Sequence, residues 1–264
     1  MNAPVLELRS VTRRFGGVVA VNGLNMLVPE GSITGLIGPN GAGKTTAFNM
    51  VSGFYTPQEG QLIFRGRDIT ALPPHKVCEL GIARTFQNIR LFGGATALEN
   101  VMAACHVRRK GQWWMPLFFL AGKEEKAIRD HAAQLIHRLD LDQYLHEKAT
   151  SLPYGAQRRL EIARALATEP SFLLLDEPAA GMNPQESETL MEFIRHIRDE
   201  FDLTILLIEH DMKVVMGVCQ HIWVLEYGSL IAEGSAEEVR NNPKVIEAYL
   251  GDDLGNADAF REEV

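Results

Sequence analysis

The sequence predicts an α/β fold with a mostly parallel sheet, an antiparallel β subdomain and an inserted helical subdomain. Short apolar runs that end in glycine or acidic residues alternate with helical segments, as in buried parallel strands. The amino-terminal segments instead alternate polar and apolar residues, which is typical of an antiparallel sheet. Between about residues 88 and 150 helical spacing predominates. We therefore expect one domain over 5–251 with its core at 5–87 and 151–251, a helical insert at about 88–150, and a polar tail at 252–264.

The composition is that of an ordinary globular protein of 264 residues, 46% hydrophobic and 23% charged. The 26 basic and 34 acidic residues give a net charge of −8. This disfavours a nucleic-acid partner, because such binding depends on Lys and Arg neutralising phosphates. Cys78, Cys105 and Cys219 are scattered without a CxxC pair. We expect the three cysteines to be small buried hydrophobic side chains in a reducing cytosol, and not parts of a disulfide framework or a zinc site.

No secretory signal or membrane span is expected. The first ten residues, MNAPVLELRS, already alternate polar and apolar residues. The longest apolar run, 113–121, is interrupted by Pro116 and is shorter than the roughly 20 residues that a bilayer requires. A membrane role would therefore depend on a partner.

The first half of the core is predicted from its patterns in chain order. The alternating segments Val5–Val11 and Gly23–Val28 indicate antiparallel strands. The apolar run Ser32–Ile37 ends at glycine and predicts a buried parallel strand. Helical spacing then extends from Lys44 to about Val51, and a further strand is expected at Gln61–Phe64 before a turn.

The insert and the second half of the core follow. Thr96 and Glu99 form a capping box that begins a helix of the insert. Apolar residues then recur at helical spacing at Ile128, Ala132, Leu135, Ile136 and Leu139. The core is expected to resume with a helix near 157–167, strand Phe172–Leu175, a helix around 185–199, strand Thr204–Ile208, a strand pair at about 222–226 and 229–232, a helix capped by Ser235 with Glu238, and a last helix from Pro243 to Gly251.

A glycine-rich loop between the third strand and the first helix matches G-x-x-x-x-G-K-[ST]. Its glycines allow backbone N–H groups to wrap a β-phosphate, Lys44 neutralises β- and γ-oxygens, and the Thr45 hydroxyl is placed to bind Mg²⁺. The predicted phosphate-binding residues here are Gly38, Pro39, Asn40, Gly41, Ala42, Gly43, Lys44, Thr45 and Thr46.

A second chemical signal is the apolar strand Phe172–Leu175, which ends in two acids. Together with a phosphate loop, Asp176 is predicted to hold Mg²⁺, usually through water. Glu177 is then suited to orient and deprotonate the water that attacks the γ-phosphate.

The order of these elements from Val5 to Gly251 resembles the ATP-binding subunits of ABC transporters. The resemblance implies that Phe15 stacks on adenine, although a core Phe is the simpler alternative. Gln87 in Arg84-Thr-Phe-Gln87 matches the Q-loop, which touches the metal, the γ-phosphate and the permease. His210, after strand Thr204–Ile208, matches the switch histidine that contacts the γ-phosphate.

The segment from Ser151 to Leu166 resembles the family signature LSGGQ and its following helix. Leu152, Gly155 and Gln157 fit this motif, whereas Pro153 replaces the usual serine and Tyr154 replaces the first glycine. The resemblance implies that Tyr154, Gly155 and Ala156 bind the ATP of a partner subunit. The missing serine hydroxyl contact is worth about 1–2 kcal/mol.

Further features resemble one subgroup, the ATP-binding subunits of branched-chain amino acid importers. Two of them are the changes at Pro153 and Tyr154 in the signature, and another is Asn183, which replaces the aspartate that usually ends the family's D-loop. The segments Ala83–Phe92, Asp176–Gly181 and Ile208–Lys213 are the others. Asn183 can still hydrogen-bond across a dimer, but without charge.

The resemblance implies a head-to-tail dimer that binds each ATP between one phosphate loop and the other subunit's signature segment. Lys44, Glu177 and His210 are the implied catalytic residues, and Thr45, Gln87 and Asp176 the implied Mg²⁺ ligands. The implied partners are integral membrane permease subunits, a second ATPase subunit that is identical or a paralogue, and indirectly a solute-binding protein. The implied location is peripheral, on the cytoplasmic face of the membrane.

Several alternatives remain open from the sequence. An ABC ATPase of DNA repair or translation shares the nucleotide motifs but usually carries a coiled-coil insert or tandem cassettes. An exporter motor is also compatible, whereas Glu177 and His210 argue against a non-hydrolysing scaffold. The aromatic segment 108–122 either packs onto the insert or contacts a permease or lipid, with Arg108, Arg109 and Lys110 facing anionic headgroups.

Overall fold

The computed structural model describes residues 4–108 and 121–252. Its strands are β1 (Pro4–Phe15), β2 (Val18–Pro29), β3 (Ile33–Ile37), β4 (Glu59–Phe64), β5 (Arg67–Asp68), β6 (Ile82–Arg84), β7 (Phe172–Asp176), β8 (Thr204–Ile208), β9 (His221–Glu226) and β10 (Ser229–Gly234). Its helices are α1 (Lys44–Val51), α2 (Pro74–Glu79), α3 (Ala97–Cys105), α4 (Ala121–Arg138), α5 (Tyr154–Leu166), α6 (Pro184–Glu200), α7 (Met212–Val218), α8 (Ala236–Arg240) and α9 (Pro243–Asp252). This confirms the predicted α/β fold.

The larger of two sheets has the strand order β10-β9-β3-β8-β7-β6. Strands β9, β3, β8, β7 and β6 run parallel, and β10 pairs antiparallel with β9. Strands β3, β7 and β8 are buried along their whole length. That burial on both faces explains their unbroken apolar sequences.

The smaller sheet has the order β2-β1-β4-β5 and is antiparallel. Its long strands β1 and β2 extend the predicted segments Val5–Val11 and Gly23–Val28 towards a hairpin in which Phe15 pairs with Val18. One face of this sheet is buried and the other is exposed, which produces the alternating sequence.

Two hydrophobic clusters hold the layers together. One lies between the two sheets and encloses α1, where Phe48 and Val51 are fully buried. The other joins the large sheet to α5, α6 and the helical insert. The insert uses the predicted capping box of Thr96 and Glu99. Of the five apolar residues that recur at helical spacing, Ile128 is half-buried and the other four are buried.

The structure differs from the sequence prediction at short elements and at helix ends. Helix α5 begins at Tyr154, before the predicted start near 157, and ends at Leu166. Strands β5 and β6 and helices α2 and α7 were not predicted, since elements of two to seven residues show little periodicity. The last helix was predicted to end at Gly251, but α9 continues to Asp252, a one-residue difference of the kind common at fraying helix ends.

Two further predictions concern the cysteines and the aromatic segment. The cysteines are free, but only Cys219 is buried, whereas Cys78 and Cys105 are half-buried, so the prediction of full burial is wrong for those two. Most of the aromatic segment 108–122 lies in 109–120, outside the described residues.

Candidate functional site

Most of the predicted site residues gather at one edge of the large sheet, because the carboxyl ends of parallel strands meet there. Strand β3 leads into the glycine-rich loop, and β6 leads to Gln87. Strand β7 ends at Asp176, and β8 is followed by Glu209 and His210. This edge therefore brings together residues that are widely separated along the chain.

The glycine-rich loop is shaped by close backbone contacts. Gly38 and Gly43 have φ values of 147° and 101°. A Cβ at Gly38 would lie 2.0 Å from the Leu225 carbonyl oxygen, and one at Gly43 would lie 2.2 Å from the Ala20 carbonyl oxygen. No side chain fits at either position, so both glycines are required by geometry.

The loop ends where α1 begins at Lys44, which is buried. The Lys44 ammonium donates to the carbonyl oxygens of Gly38 and Pro39, at 2.6 and 2.9 Å. The loop is thus closed around its own lysine, next to the positive end of a helix. A helix amino terminus with an adjacent ammonium is suited to bind phosphate oxygens.

The predicted metal ligands Thr45, Gln87 and Asp176 line one cavity of about 340 Å³. A hydroxyl, an amide and a carboxylate supply the oxygen ligands that Mg²⁺ prefers, with phosphate and water completing its coordination. The side chains present therefore fit a magnesium ion.

Asp176 has a protein partner that sequence analysis did not identify. Its Oδ2 accepts from Nη2 of Arg84 at 2.7 Å, and both side chains are more than nine-tenths buried. Arg84 also donates to Asn49 and Ser52, at 2.7 and 3.0 Å. The position of the Asp176 carboxylate is therefore set by a buried ion pair.

Glu177 lies directly after β7 in a left-handed conformation, with φ of 46°. Its Oε2 accepts from Nε2 of Gln87 at 2.6 Å, and Nδ1 of His210 lies 3.7 Å from the same oxygen. The structure thus brings Gln87, Glu177 and His210 together. A left-handed conformation is uncommon outside glycine and concentrates at functional sites.

Glu209 was not predicted as a site residue, yet it connects the two turns that carry Glu177 and His210. Its carboxylate is fully buried and accepts from the backbone N–H of Ala179 at 2.7 Å and of His210 at 3.1 Å. Burial raises the pKa of Glu209, and the hydrogen bond from Ala179 opposes that rise. An acid that follows a buried apolar strand was the signal that could have revealed it.

Phe15 lies at the tip of the β1–β2 hairpin and is 40% exposed, so it is not a core residue. Its ring packs edge-on against Tyr55, with 5.2 Å between centroids. The Arg13 guanidinium carbon lies 4.7 Å from the Phe15 centroid. Ala20 of the same hairpin lies against Gly43 of the glycine-rich loop. The exposed Phe15 ring is therefore accessible to a planar ligand near that loop.

The signature segment lines a different cavity from the predicted metal ligands. Pro153, Gly155 and Ala156 line a cavity of about 270 Å³. The Tyr154 hydroxyl donates to the Ala180 carbonyl oxygen at 2.8 Å. Within one chain these residues therefore do not line the cavity of Thr45, Gln87 and Asp176.

Asn183 has a local role that was not predicted. Its Oδ1 accepts from the Glu186 N–H at 3.0 Å, and Glu186 accepts from the Asn183 N–H at 2.9 Å. This capping box begins α6. The amide oxygen is thus occupied within the chain.

Among residues 4–108 and 121–252, no helix is both long and apolar enough to cross a lipid bilayer.

Most of the chain matches known protein families. Residues 21–180 match the family described as ABC transporter. Residues 229–254 match the family described as branched-chain amino acid ATP-binding cassette transporter. The second match covers β10, α8 and α9, where sequence analysis identified no functional residue.

Curated relatives extend over nearly the whole chain. The high-affinity branched-chain amino acid transport ATP-binding protein BraF of Pseudomonas aeruginosa is 46% identical, over 96% of this chain and 100% of BraF. LivG of Escherichia coli K12, with the same description, is 45% identical over 96% of this chain and 100% of LivG. The lipopolysaccharide export system ATP-binding protein LptB of Acidithiobacillus ferridurans is 34% identical, over 94% of this chain and 97% of LptB.

Among solved structures, the ADP conformation of MJ1267, an ATP-binding cassette of an ABC transporter, is similar with a TM-score of 0.83. It is 31% identical, and the match covers 95% of this chain and 100% of that chain.

Proposed function

The chain belongs to the ATP-binding subunits of ABC transporters, and from that membership we propose that it couples ATP hydrolysis to uptake of branched-chain amino acids, or of related small amino acids and amides, through a separate permease. As a member of this family it is an ATPase. BraF of Pseudomonas aeruginosa and LivG of Escherichia coli, both named for branched-chain amino acid transport, are 46% and 45% identical to it, against 34% for the lipopolysaccharide export protein. This difference favours the importer over the exporter.

The observation that carries the catalytic proposal is the convergence of Gln87 and His210 on Glu177. Glu177 acts as the general base that takes a proton from the attacking water. Gln87 and His210 hold its carboxylate and contact the γ-phosphate, and Lys44 balances the phosphate charge. Most of the rate then comes from positioning and charge stabilisation, as in other phosphoryl transfers.

Mg²⁺ is assigned to the cavity lined by Thr45, Gln87 and Asp176. When bound there, the ion would neutralise charge that develops on the β- and γ-phosphate oxygens. Arg84 holds Asp176 in position for this role. Phe15 at the hairpin tip supplies the face on which adenine stacks.

The working form is a head-to-tail dimer with an identical or paralogous subunit. The support is that the signature residues Pro153, Gly155 and Ala156 line a different cavity from Thr45 and Asp176. A second subunit can bring its own signature segment over the phosphate loop. Tyr154, Gly155 and Ala156 then bind the partner's ATP, and a solute-binding protein supplies the solute from the other side of the membrane.

A groove of about 460 Å³ between the core and the insert is assigned to the permease. It lies beside the Q-loop, and Phe54, Phe92 and Val107 at its margin are exposed. Large exposed apolar side chains around a groove indicate a protein partner. A cytoplasmic segment of the permease is the proposed occupant of this groove, and the protein would then act at the cytoplasmic face of the membrane.

The test is a Mg²⁺-dependent ATPase assay of the purified chain, with and without membranes that contain a candidate amino-acid permease. We expect stimulation by permease-containing membranes and none by matched membranes that lack it. Phe92→Ala should reduce the stimulation and leave basal hydrolysis unchanged, with Leu27→Ala, on the exposed face of β2, as the control. Basal hydrolysis with no stimulation by any branched-chain amino acid permease would overturn the transport proposal and retain the ATPase.

A further inference from the structure

Tyr154 stands where most family members have glycine, and its hydroxyl connects two separate segments. It donates to the Ala180 carbonyl oxygen at 2.8 Å, 26 residues further along the chain. Ala180 belongs to the turn that begins at Glu177, because the Ala180 N–H donates to the Glu177 carbonyl oxygen at 3.2 Å. A side chain of the signature helix thus contacts the turn that carries the proposed general base.

Arg158, one helical turn further along α5, orients the Tyr154 hydroxyl. Its Nη2 lies 3.2 Å from that hydroxyl and 3.0 Å from the Gln87 carbonyl oxygen. Its Nη1 donates to the Phe86 carbonyl oxygen at 2.9 Å. Arg158 itself is fully buried and its bonds to Phe86, Gln87 and Tyr154 are partly buried, whereas the bond from Tyr154 to Ala180 lies at the surface.

Glu161 completes the network and balances the buried charge of Arg158. Its Oε2 accepts from Arg158 at 2.9 Å, and its Oε1 accepts from the N–H groups of Phe86 and Arg90, at 3.4 and 3.3 Å. Arg158 therefore donates to backbone carbonyl groups of the Q-loop, and Glu161 accepts from backbone N–H groups of the same segment. A charged pair buried this deeply is costly unless its groups find partners. Both Glu161 oxygens and the Nη1 and Nη2 atoms of Arg158 have hydrogen-bond partners, whereas the buried Nε of Arg158 has none.

We propose that Tyr154 is a positioning residue for ATP hydrolysis. Its hydroxyl, held by Arg158, joins the turn of Glu177 to α5, and Arg158 with Glu161 joins α5 to the segment that carries Gln87. The signature helix, the Q-loop and the Glu177 turn therefore move as one unit. This inference rests on the proposed function. There, Tyr154 is expected to contact the ATP of the partner subunit, and the inference gives it a second role within its own chain.

The two roles predict different kinetics. Loss of a positioning hydrogen bond lowers kcat with little change in KM, because ATP binding does not depend on it. Loss of a direct ATP contact raises KM. A neutral hydrogen bond contributes about 0.5–1.5 kcal/mol, so Tyr154→Phe should lower kcat by up to about tenfold.

The experiment compares the full-length wild type with Tyr154→Phe, which removes the hydroxyl and keeps the ring. We expect a kcat lower by about two- to tenfold, a KM for ATP equal to that of wild type within error, and a similarly slower single-turnover hydrolysis. The melting temperature should change by less than about 3 °C. Tyr227→Phe, which removes the hydroxyl of a side chain that is 83% exposed in the turn between β9 and β10, is the control and should leave kcat and KM unchanged.

Three outcomes would overturn the inference: an unchanged kcat, a KM raised as much as kcat is lowered, or an equal effect in Tyr227→Phe. Arg158→Lys adds an independent check, because its effect on kcat should not multiply with that of Tyr154→Phe if both act through one network. Wild-type turnover and its loss in Glu177→Gln test the proposed ATPase chemistry separately.

Discussion

The buried ion pair between Asp176 and Arg84 predicts that Asp176 contributes to stability, in addition to its proposed role as a metal ligand. Asp176→Asn keeps the size of the side chain and removes its charge. The guanidinium of Arg84 then remains buried without a carboxylate, although Asn49 and Ser52 still accept from it. We therefore expect the free energy of unfolding to fall even in the absence of nucleotide and Mg²⁺.

The magnitude follows from the burial of the pair. Removing one partner of a buried ion pair costs about 3–5 kcal/mol. We take the lower end, about 3 kcal/mol, because the two remaining acceptors of Arg84 offset part of the loss. In a protein of this size that corresponds to a melting temperature lower by about 6–12 °C.

The measurement is urea denaturation and thermal melting of the nucleotide-free protein in a buffer with EDTA. Asp199→Asn is the matched control, since Asp199 pairs with Arg198 at the same distance of 2.7 Å but is 67% exposed. Exposed pairs contribute about 0–1 kcal/mol, so the control should change stability little. The combined change of Asp176→Asn with Arg84→Gln should be less destabilising than the sum of the single changes, because it leaves no lone buried charge.

If Asp176→Asn lowers the free energy of unfolding by less than about 1 kcal/mol, or by as much as Asp199→Asn does, the ion pair does not hold the nucleotide-free site together. Additive effects in the double variant would lead to the same conclusion.

Three further predictions concern single residues. Glu177→Gln should lower turnover by more than about a hundredfold, leave ATP affinity intact and trap an ATP-bound dimer in gel filtration; an unchanged rate would remove Glu177 from its role. Pro153→Ser should be tolerated and alter ATP-dependent dimerisation only modestly, since the Pro153 position caps α5 without a side-chain hydrogen bond, and a hundredfold loss of ATPase activity (about 2.7 kcal/mol) would contradict this. Burial raises the pKa of Cys219 from 9.0 to about 12, so iodoacetamide at pH 8 should modify it about a thousandfold more slowly in the native than in the denatured protein; mass spectrometry that finds equal rates would contradict its burial.

Local sequence was sufficient for the features that depend on contiguous residues. The glycine-rich loop from Gly38 to Thr45 is one such feature, because its fold follows from glycine conformations and from the strand and helix on either side. The strands Ser32–Ile37 and Phe172–Leu175 were predicted for a similar reason, since burial on both faces imposes an apolar run. The capping boxes of Thr96 and Ser235 were also correctly identified, as each involves residues only three apart.

Short elements were missed because they lack a period long enough to detect. Strand β6 has three residues, yet it places Arg84 against Asp176 and leads to Gln87. Its position depends on pairing with β7, which lies some ninety residues further along the chain.

The sequence alone determined the fold class, the phosphate loop and the acidic pair Asp176 and Glu177. The tertiary structure decided how those groups are held. Arg84 meets Asp176 across 92 residues, Gln87 meets Glu177 across 90, and Glu209 reaches the N–H of Ala179 across 30. Such contacts depend on the order of strands in the sheet and on which side chains are buried together, and neither is encoded in any local pattern. A motif therefore identifies the chemical groups, whereas packing sets their charge partners and geometry.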